Sequence, residues 1–109
     1  MSSYEINVGA SRGRQVIELH GEFDIHSLRE LSDALRRETG ARHATSLDLS
    51  GVTFADLCTL RALSEALFFY PGLSLRAPSW QVLRAARVCG MEELLGFETG
   101  HAGISRKAS

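Results

Sequence analysis

Apolar and polar positions change period several times along the chain. Tyr4, Ile6 and Val8 alternate with polar neighbours, as do Ile17 and Leu19, and a period of two marks strands. Two strands over residues 4–8 and 15–20 are expected, joined as a hairpin through Ala10-Ser11-Arg12-Gly13, where Gly13 is free to take positive φ. Gly21-Glu22 then bends the chain, and residues 23–25 form a short extended piece. The spacing of Leu28, Leu31 and Leu35 predicts a first helix. Ser27 and Glu30 have the spacing of a capping box at its start, Arg36 and Arg37 suit its last turn, and Gly40 suits its C-cap.

The stretch Ser46 to Leu63 organises the rest. Leu47 and Leu49 alternate with Ser46, Asp48 and Ser50, giving a central strand with Asp48 at its end and a tight loop after it. Asp56 stands at an N-cap position, and Leu60, Leu63 and Leu67 recur at helix period. This second helix is expected over 57–69, closed by Tyr70-Pro71-Gly72 as a type II turn. Leu73, Leu75 and Ala77 alternate as a further strand. Pro78-Ser79 opens a third helix, about 80–89, with Val82, Leu83 and Ala86 inward and Gly90 stopping it. A short helical turn over 91–95 and a last strand over 97–99 complete the pattern. Helices between strands imply crossovers and an α/β fold with a partly parallel sheet.

The chain has 109 residues, 44% of them apolar, and a formal net charge of -1. It is long enough for one core without disulfides. Near neutrality argues against a nucleic-acid or membrane-surface binder, since both need a basic excess. Arg12 with Arg14 and Arg36 with Arg37 are local pairs that read as solvated charge. Cys58 and Cys89 lack metal or redox spacing, and no secretory signal precedes them. No apolar run reaches the length of a membrane span. A cytoplasmic protein is expected, with one domain over 1–99 and a flexible tail over 100–109. His20, His26, His43 and His101 are scattered without ligand spacing, so no metal and no cofactor are expected. Trp80 reads as packed over the sheet edge, and Phe68, Phe69 and Tyr70, which cannot all face inward, as a packed helix end, the alternative being one exposed aromatic that marks an interaction surface.

The motif Asp48-Leu49-Ser50-Gly51-Val52-Thr53-Phe54-Ala55-Asp56, with Leu60 and Leu63 beyond it and Gly21-Glu22-Phe23-Asp24 before it, resembles the STAS domain of the anti-sigma factor antagonists. The resemblance covers roughly Tyr4 to Phe97. It implies an α/β fold, a STAS-like mixed β-sheet with helices packed mainly on one face. It also implies a non-enzymatic role: binding an anti-sigma factor that is a serine kinase of the histidine-kinase-like ATPase type, in a partner-switching circuit that regulates transcription. In the family a Ser-Ser-Gly triplet follows the motif aspartate, and its second serine is the usual phosphorylation target. Here the triplet after Asp56 is Leu57-Cys58-Thr59, so Cys58 takes the phosphoserine position.

Three readings of Cys58 follow. The partner-binding face persists without its switch; the switch moves to Thr59, an alternative phosphosite; or Cys58 is a redox-sensitive thiol, since a helix N-terminus lowers a thiol pKa. The first is favoured over the second and the second over the third, and a small residue filling space under the loop also accounts for Cys58 better than redox chemistry does. By the resemblance, Asp24, Thr53, Phe54, Asp56, Leu57, Cys58, Thr59 and Arg61 form the partner-binding face. Asp24 reads equally as a loop acid or cap, and Asp56 as a helix cap first.

The leading expectation is therefore an anti-sigma factor antagonist-like protein with a degenerate phosphorylation site, no nucleic-acid or membrane partner, and a weak homodimer left open. The alternative is a STAS module that serves as a subunit of a signalling or transport assembly, or as a small-ligand or nucleotide sensor. An enzyme with Cys58 as nucleophile needs a base, for which only His20 or His26 stands available.

Overall fold

The computed structural model describes residues 3–39 and 44–98. Its elements follow one another as β1 (Tyr4–Ser11), β2 (Arg14–Phe23), α1 (Leu28–Glu38), β3 (Thr45–Ala55), α2 (Leu57–Phe69), β4 (Leu73–Arg76), α3 (Trp80–Val88) and α4 (Glu92–Leu95). The sheet order is β1-β2-β3-β4. β1 lies antiparallel to β2, and β2, β3 and β4 are parallel, so the sheet is mixed. Arg12 and Gly13 both adopt positive φ, 54° and 78°, which makes the β1–β2 connection the primed turn that matches strand twist.

Alternation along the strands divides the sheet into two faces. Ile17, Leu19, Leu47, Leu49 and Leu75 are fully buried and pack in one cluster with Leu31 and Leu35 of α1, Leu60 and Leu63 of α2, Val82 and Ala86 of α3, and Leu95 after them. The intervening positions Glu18, Asp48 and Arg76 line a cavity with the hairpin residues Arg12 and Arg14. The helices therefore cover one face, and the other is polar.

Several local expectations change. β3 does not stop at Ser50 but runs to Ala55, and Asp48 lies inside it. Its pairing with β2 slips twice, from Glu18↔Asp48 to His20↔Gly51 and from Gly21↔Val52 to Glu22↔Phe54. Each slip is one extra residue on β3, so the buried positions after Leu49 are Val52 and Ala55, three apart rather than two. The expected tight loop is thus bulged strand. β2 likewise continues through Gly21, at φ 97°, to Phe23, and the piece beyond it is a turn rather than an extension.

Ser27 starts α1 without a side-chain cap. Its Oγ instead bonds the backbone of Asp24, accepting from the amide and donating to the carbonyl, both at 3.0 Å. Glu30 accepts from the Tyr4 hydroxyl at 2.5 Å, so a tertiary partner displaces the local capping box. Gly72 does not take positive φ, and the Leu73 amide bonds the Tyr70 carbonyl at 2.9 Å, so this turn is not type II. The last expected strand reduces to one parallel bridge, Arg76↔Glu98. Gly40, Thr99 and the expected tail lie outside the described residues. Among the described residues, no helix is long and apolar enough to cross a membrane.

Candidate partner-binding face

Two neighbouring strand ends build the site. Phe23 at the end of β2 pairs with Ala55 at the end of β3, and the Asp56 amide donates to the Phe23 carbonyl at 3.2 Å. Asp24 and Asp56 therefore leave the sheet side by side. Asp24 is half-buried, and its Oδ1 accepts from the His26 amide at 2.9 Å, closing the turn into α1. Asp56 has extended backbone, and its Oδ1 accepts from the Thr59 amide at 2.9 Å, so it is the N-cap of α2. Both acids hold local backbone structure at the rim of the site. The first turn of α2 itself carries no acid, so the capping carboxylate at its positive end is that of Asp56.

The motif glycines serve this geometry. A Cβ at Gly21 would overlap the Ser3 carbonyl, and one at Gly51 would overlap the His20 ring. Gly51 also lies between Leu49 and Val52, the two β3 carbonyls that hold Ser79. The Ser79 amide bonds the first at 3.3 Å and its hydroxyl the second at 2.6 Å, while the same Oγ caps α3 at Val82. Thus β3 fixes the starts of both α2 and α3.

The first turn of α2 separates its side chains sharply. Cys58 and Arg61 are exposed and Leu57 is 42% exposed, whereas Thr59 is 1% exposed and its Oγ1 has no hydrogen-bond partner. The Thr59 hydroxyl is thus closed to solvent in this structure. Thr53 and Phe54 at the end of β3 are exposed, Phe54 by half. Of the residues singled out from the sequence, all but Thr59 reach the surface or its rim around the β3–α2 junction.

Sequence reasoning missed the other half of this surface. Trp80 is 67% exposed rather than packed on the sheet edge, and Val88 is 77% exposed. With Phe54, Leu57 and Cys89 they line a cavity of about 490 Å³ between the β3–α2 junction and α3. A second cavity of about 420 Å³ continues from Leu57 and Cys89 to Arg61 and Leu94. The signal was present in the helix period: Trp80, Arg84 and Val88 follow one another at i, i+4, i+8, on a different side from Val82 and Ala86. Phe68 and Phe69 are also exposed, stacked edge to face on each other at the far end of α2.

Among the described residues, Cys58 has no histidine at hydrogen-bond distance. His20 stands beside Glu18, 3.4 Å away, and against Gly51. A Cys–His nucleophile is not assembled there. No group of three His, Cys, Asp or Glu side chains gathers among the described residues.

Comparison with known proteins places this geometry. The model of the family described as Mlab, STAS domain, matches residues 6–96. Among solved structures the chain is similar to an anti-sigma factor antagonist from Mycobacterium paratuberculosis, with TM-score 0.75 and 20% identity over 87% of this chain and 85% of that one. It is similar to an antisigma-factor antagonist STAS domain from Rhodobacter sphaeroides, with TM-score 0.52 and 19% identity over 67% of this chain and 83% of that one. It is also similar to the anti-sigma factor antagonist SpoIIAA in its unphosphorylated form, with TM-score 0.61 and 18% identity over 95% of both chains. At these identities the likeness is one of fold. No curated protein sequence gives a significant match.

Proposed function

The chain belongs to the STAS domain family, and from that premise we propose that it works by protein–protein binding as an anti-sigma factor antagonist-like module whose phosphorylation site is degenerate. The observation that carries this reading is the exposed apolar surface at the β3–α2 junction. Phe54 and Leu57 present large apolar side chains to solvent beside Cys58, at a place that the described residues leave open. Exposed apolar surface of this kind marks an interaction site. The partner is an anti-sigma factor, a serine kinase of the histidine-kinase-like ATPase type, and the face comprises Asp24, Thr53, Phe54, Asp56, Leu57, Cys58 and Arg61.

The physics of the switch explains what Cys58 changes. A phosphoserine at this position adds a charge of about -1.5 to -2 at the start of α2. The domain tolerates that charge, because free amides and the helix dipole stabilise it. A partner's apolar side chains do not, because docking would strip its water. Cysteine removes the phosphate acceptor and keeps the shape, so the face stays in its binding form.

A second reading, a permanent subunit of a signalling or transport assembly, is favoured by one feature. The apolar surface extends past the phosphoserine position to Trp80, Val88 and Leu94, which suits a larger and more lasting interface. Affinity capture from native lysate with mass spectrometry separates the two, using the wild-type chain and Cys58→Asp as baits. A histidine-kinase-like anti-sigma factor held by wild type and lost with Cys58→Asp supports the first reading. A stoichiometric assembly subunit held by both baits, with no such kinase, supports the second and rejects the first.

A further inference from the structure

On the helix-free face of the sheet, the structure joins arginines that lie far apart in sequence. Arg12 and Arg14 come from the β1–β2 hairpin and Arg76 from the end of β4, and all three line one cavity of about 420 Å³. Register explains the meeting: Glu18 pairs with Asp48, and Asp48 with Arg76, so the cavity floor crosses three strands. We propose that this cavity binds a small phosphorylated ligand, held through its phosphate by the guanidinium groups of Arg12, Arg14 and Arg76.

Three observations support an anion here. The first is the balance of partners. Arg12 has no ion pair among the described residues, and the partner of Arg76, Glu98, is 3.9 Å away. The two acids of the cavity do not ion-pair with these arginines among the described residues: Asp48 Oδ1 accepts from the Ser50 amide and hydroxyl at 2.9 and 2.7 Å, and Glu18 stands 3.4 Å from His20. The second is preorganisation. Arg14 Nη1 donates to Ser46 Oγ at 3.2 Å, and Ser46 is 2% exposed, so this guanidinium is anchored on the cavity floor. The third is backbone conformation. Arg12 at φ 54° and Ala77 at φ 50° are the non-glycine residues with left-handed backbone among the described residues, and both line this cavity. Turn chemistry would place asparagine or glycine at position 12, and arginine there is better explained by what its side chain does.

Three guanidinium forks around one space suit phosphate better than carboxylate. A tetrahedral phosphate presents three terminal oxygens to several forks, whereas a carboxylate satisfies one fork face-on. The cavity exceeds the size of bare phosphate, which points to a phosphorylated small molecule. The site lies on the opposite side of the sheet from the helices and stands independently of the protein-binding reading.

The test is a titration of the full chain followed by amide chemical shifts, with inorganic phosphate, glucose 6-phosphate, acetate and glucose as probes at constant ionic strength. The expected result is saturable shifts at Arg12, Gly13, Arg14, Arg76 and Ala77 with both phosphates. Glucose 6-phosphate should bind at least as tightly as phosphate, and acetate and glucose more weakly. Arg12→Gly and Arg76→Gln should each weaken binding about tenfold. Glycine suits the backbone at 12, so Arg12→Gly removes the guanidinium without threatening the fold, and retained spectral dispersion verifies this. Several results would overturn the proposal: shifts that do not saturate or that sodium chloride reproduces, shifts centred on Leu57 and Cys58, preference for acetate or glucose, or affinity unchanged in both variants.

Discussion

Cys58 and Thr59 are consecutive in the first turn of α2 and opposite in exposure: Cys58 is on the surface, whereas Thr59 is 1% exposed with an unpartnered hydroxyl. The Thr59 hydroxyl is therefore closed to solvent in this structure, and on the proposed reading it does not serve as a phosphosite while the domain stays folded. Incubation with a cognate kinase and ATP should leave Thr59 unmodified by mass spectrometry, and Cys58→Ser should gain one phosphate at position 58. Thr59→Val should not destabilise the domain and is expected to gain about 1 kcal/mol in urea denaturation, since it removes a buried hydroxyl that has no partner.

Asp56 holds the start of α2 through the Thr59 amide. Asp56→Ala should cost about 0.5–2 kcal/mol of stability by urea denaturation, and Asp56→Asn, which keeps an acceptor, distinctly less. If Asp56→Ala weakens partner binding far beyond its effect on folding, the carboxylate also touches the partner.

The pairing of Gly51 with His20 gives a cycle that isolates one contact. Gly51→Ala should destabilise by about 1–3 kcal/mol, because the new methyl meets the imidazole. His20→Ala in the same chain should recover most of that loss, since the obstacle is a side chain. Gly21→Ala should find no such rescue, because its obstacle is the backbone of Ser3 and Tyr4 and its φ is 97°.

Tyr4 ties β1 to α1 through Glu30, and this bond raises the phenol pKa above its ordinary value, helped by desolvation and by the negative charge of Glu30 and Asp24. The folded chain thus holds the phenol proton more tightly than the unfolded chain. The corresponding stability is fully present below the unfolded value of about 10 and is lost as pH rises through the raised folded value. Tyr4→Phe should abolish that alkaline loss, read as the melting temperature against pH.

The elements were legible in sequence where local signals and tertiary structure agreed. Asp56 is a cap in both, α3 starts where Pro78-Ser79 was read to open it, and α2 falls where Leu60 and Leu63 placed it. Local reading failed where a distant partner competed. Ser27 and Glu30 have capping-box spacing, but Tyr4, 26 residues from Glu30 in sequence, takes the glutamate. The β3 bulges were hidden because the period of two breaks when a residue is added, and Val52 and Ala55 then read as loop. The STAS motif pointed to the β3–α2 junction but was silent on Trp80 and Val88, which belong to another segment. The arginine-lined cavity was invisible for a related reason: only sheet register brings Arg76 to Arg12 and Arg14.

The most direct test of the partner-binding account is calorimetric titration of the domain with a histidine-kinase-like anti-sigma factor from the same cell. Wild type and Cys58→Ser should bind with micromolar affinity or tighter. Cys58→Asp and Phe54→Ser should each lose about tenfold or more, the first by burying a charge and the second by removing exposed apolar area from the contact. No heat of binding with wild type, or equal affinity for all four chains, would contradict the claim that the β3–α2 junction is the partner-binding face.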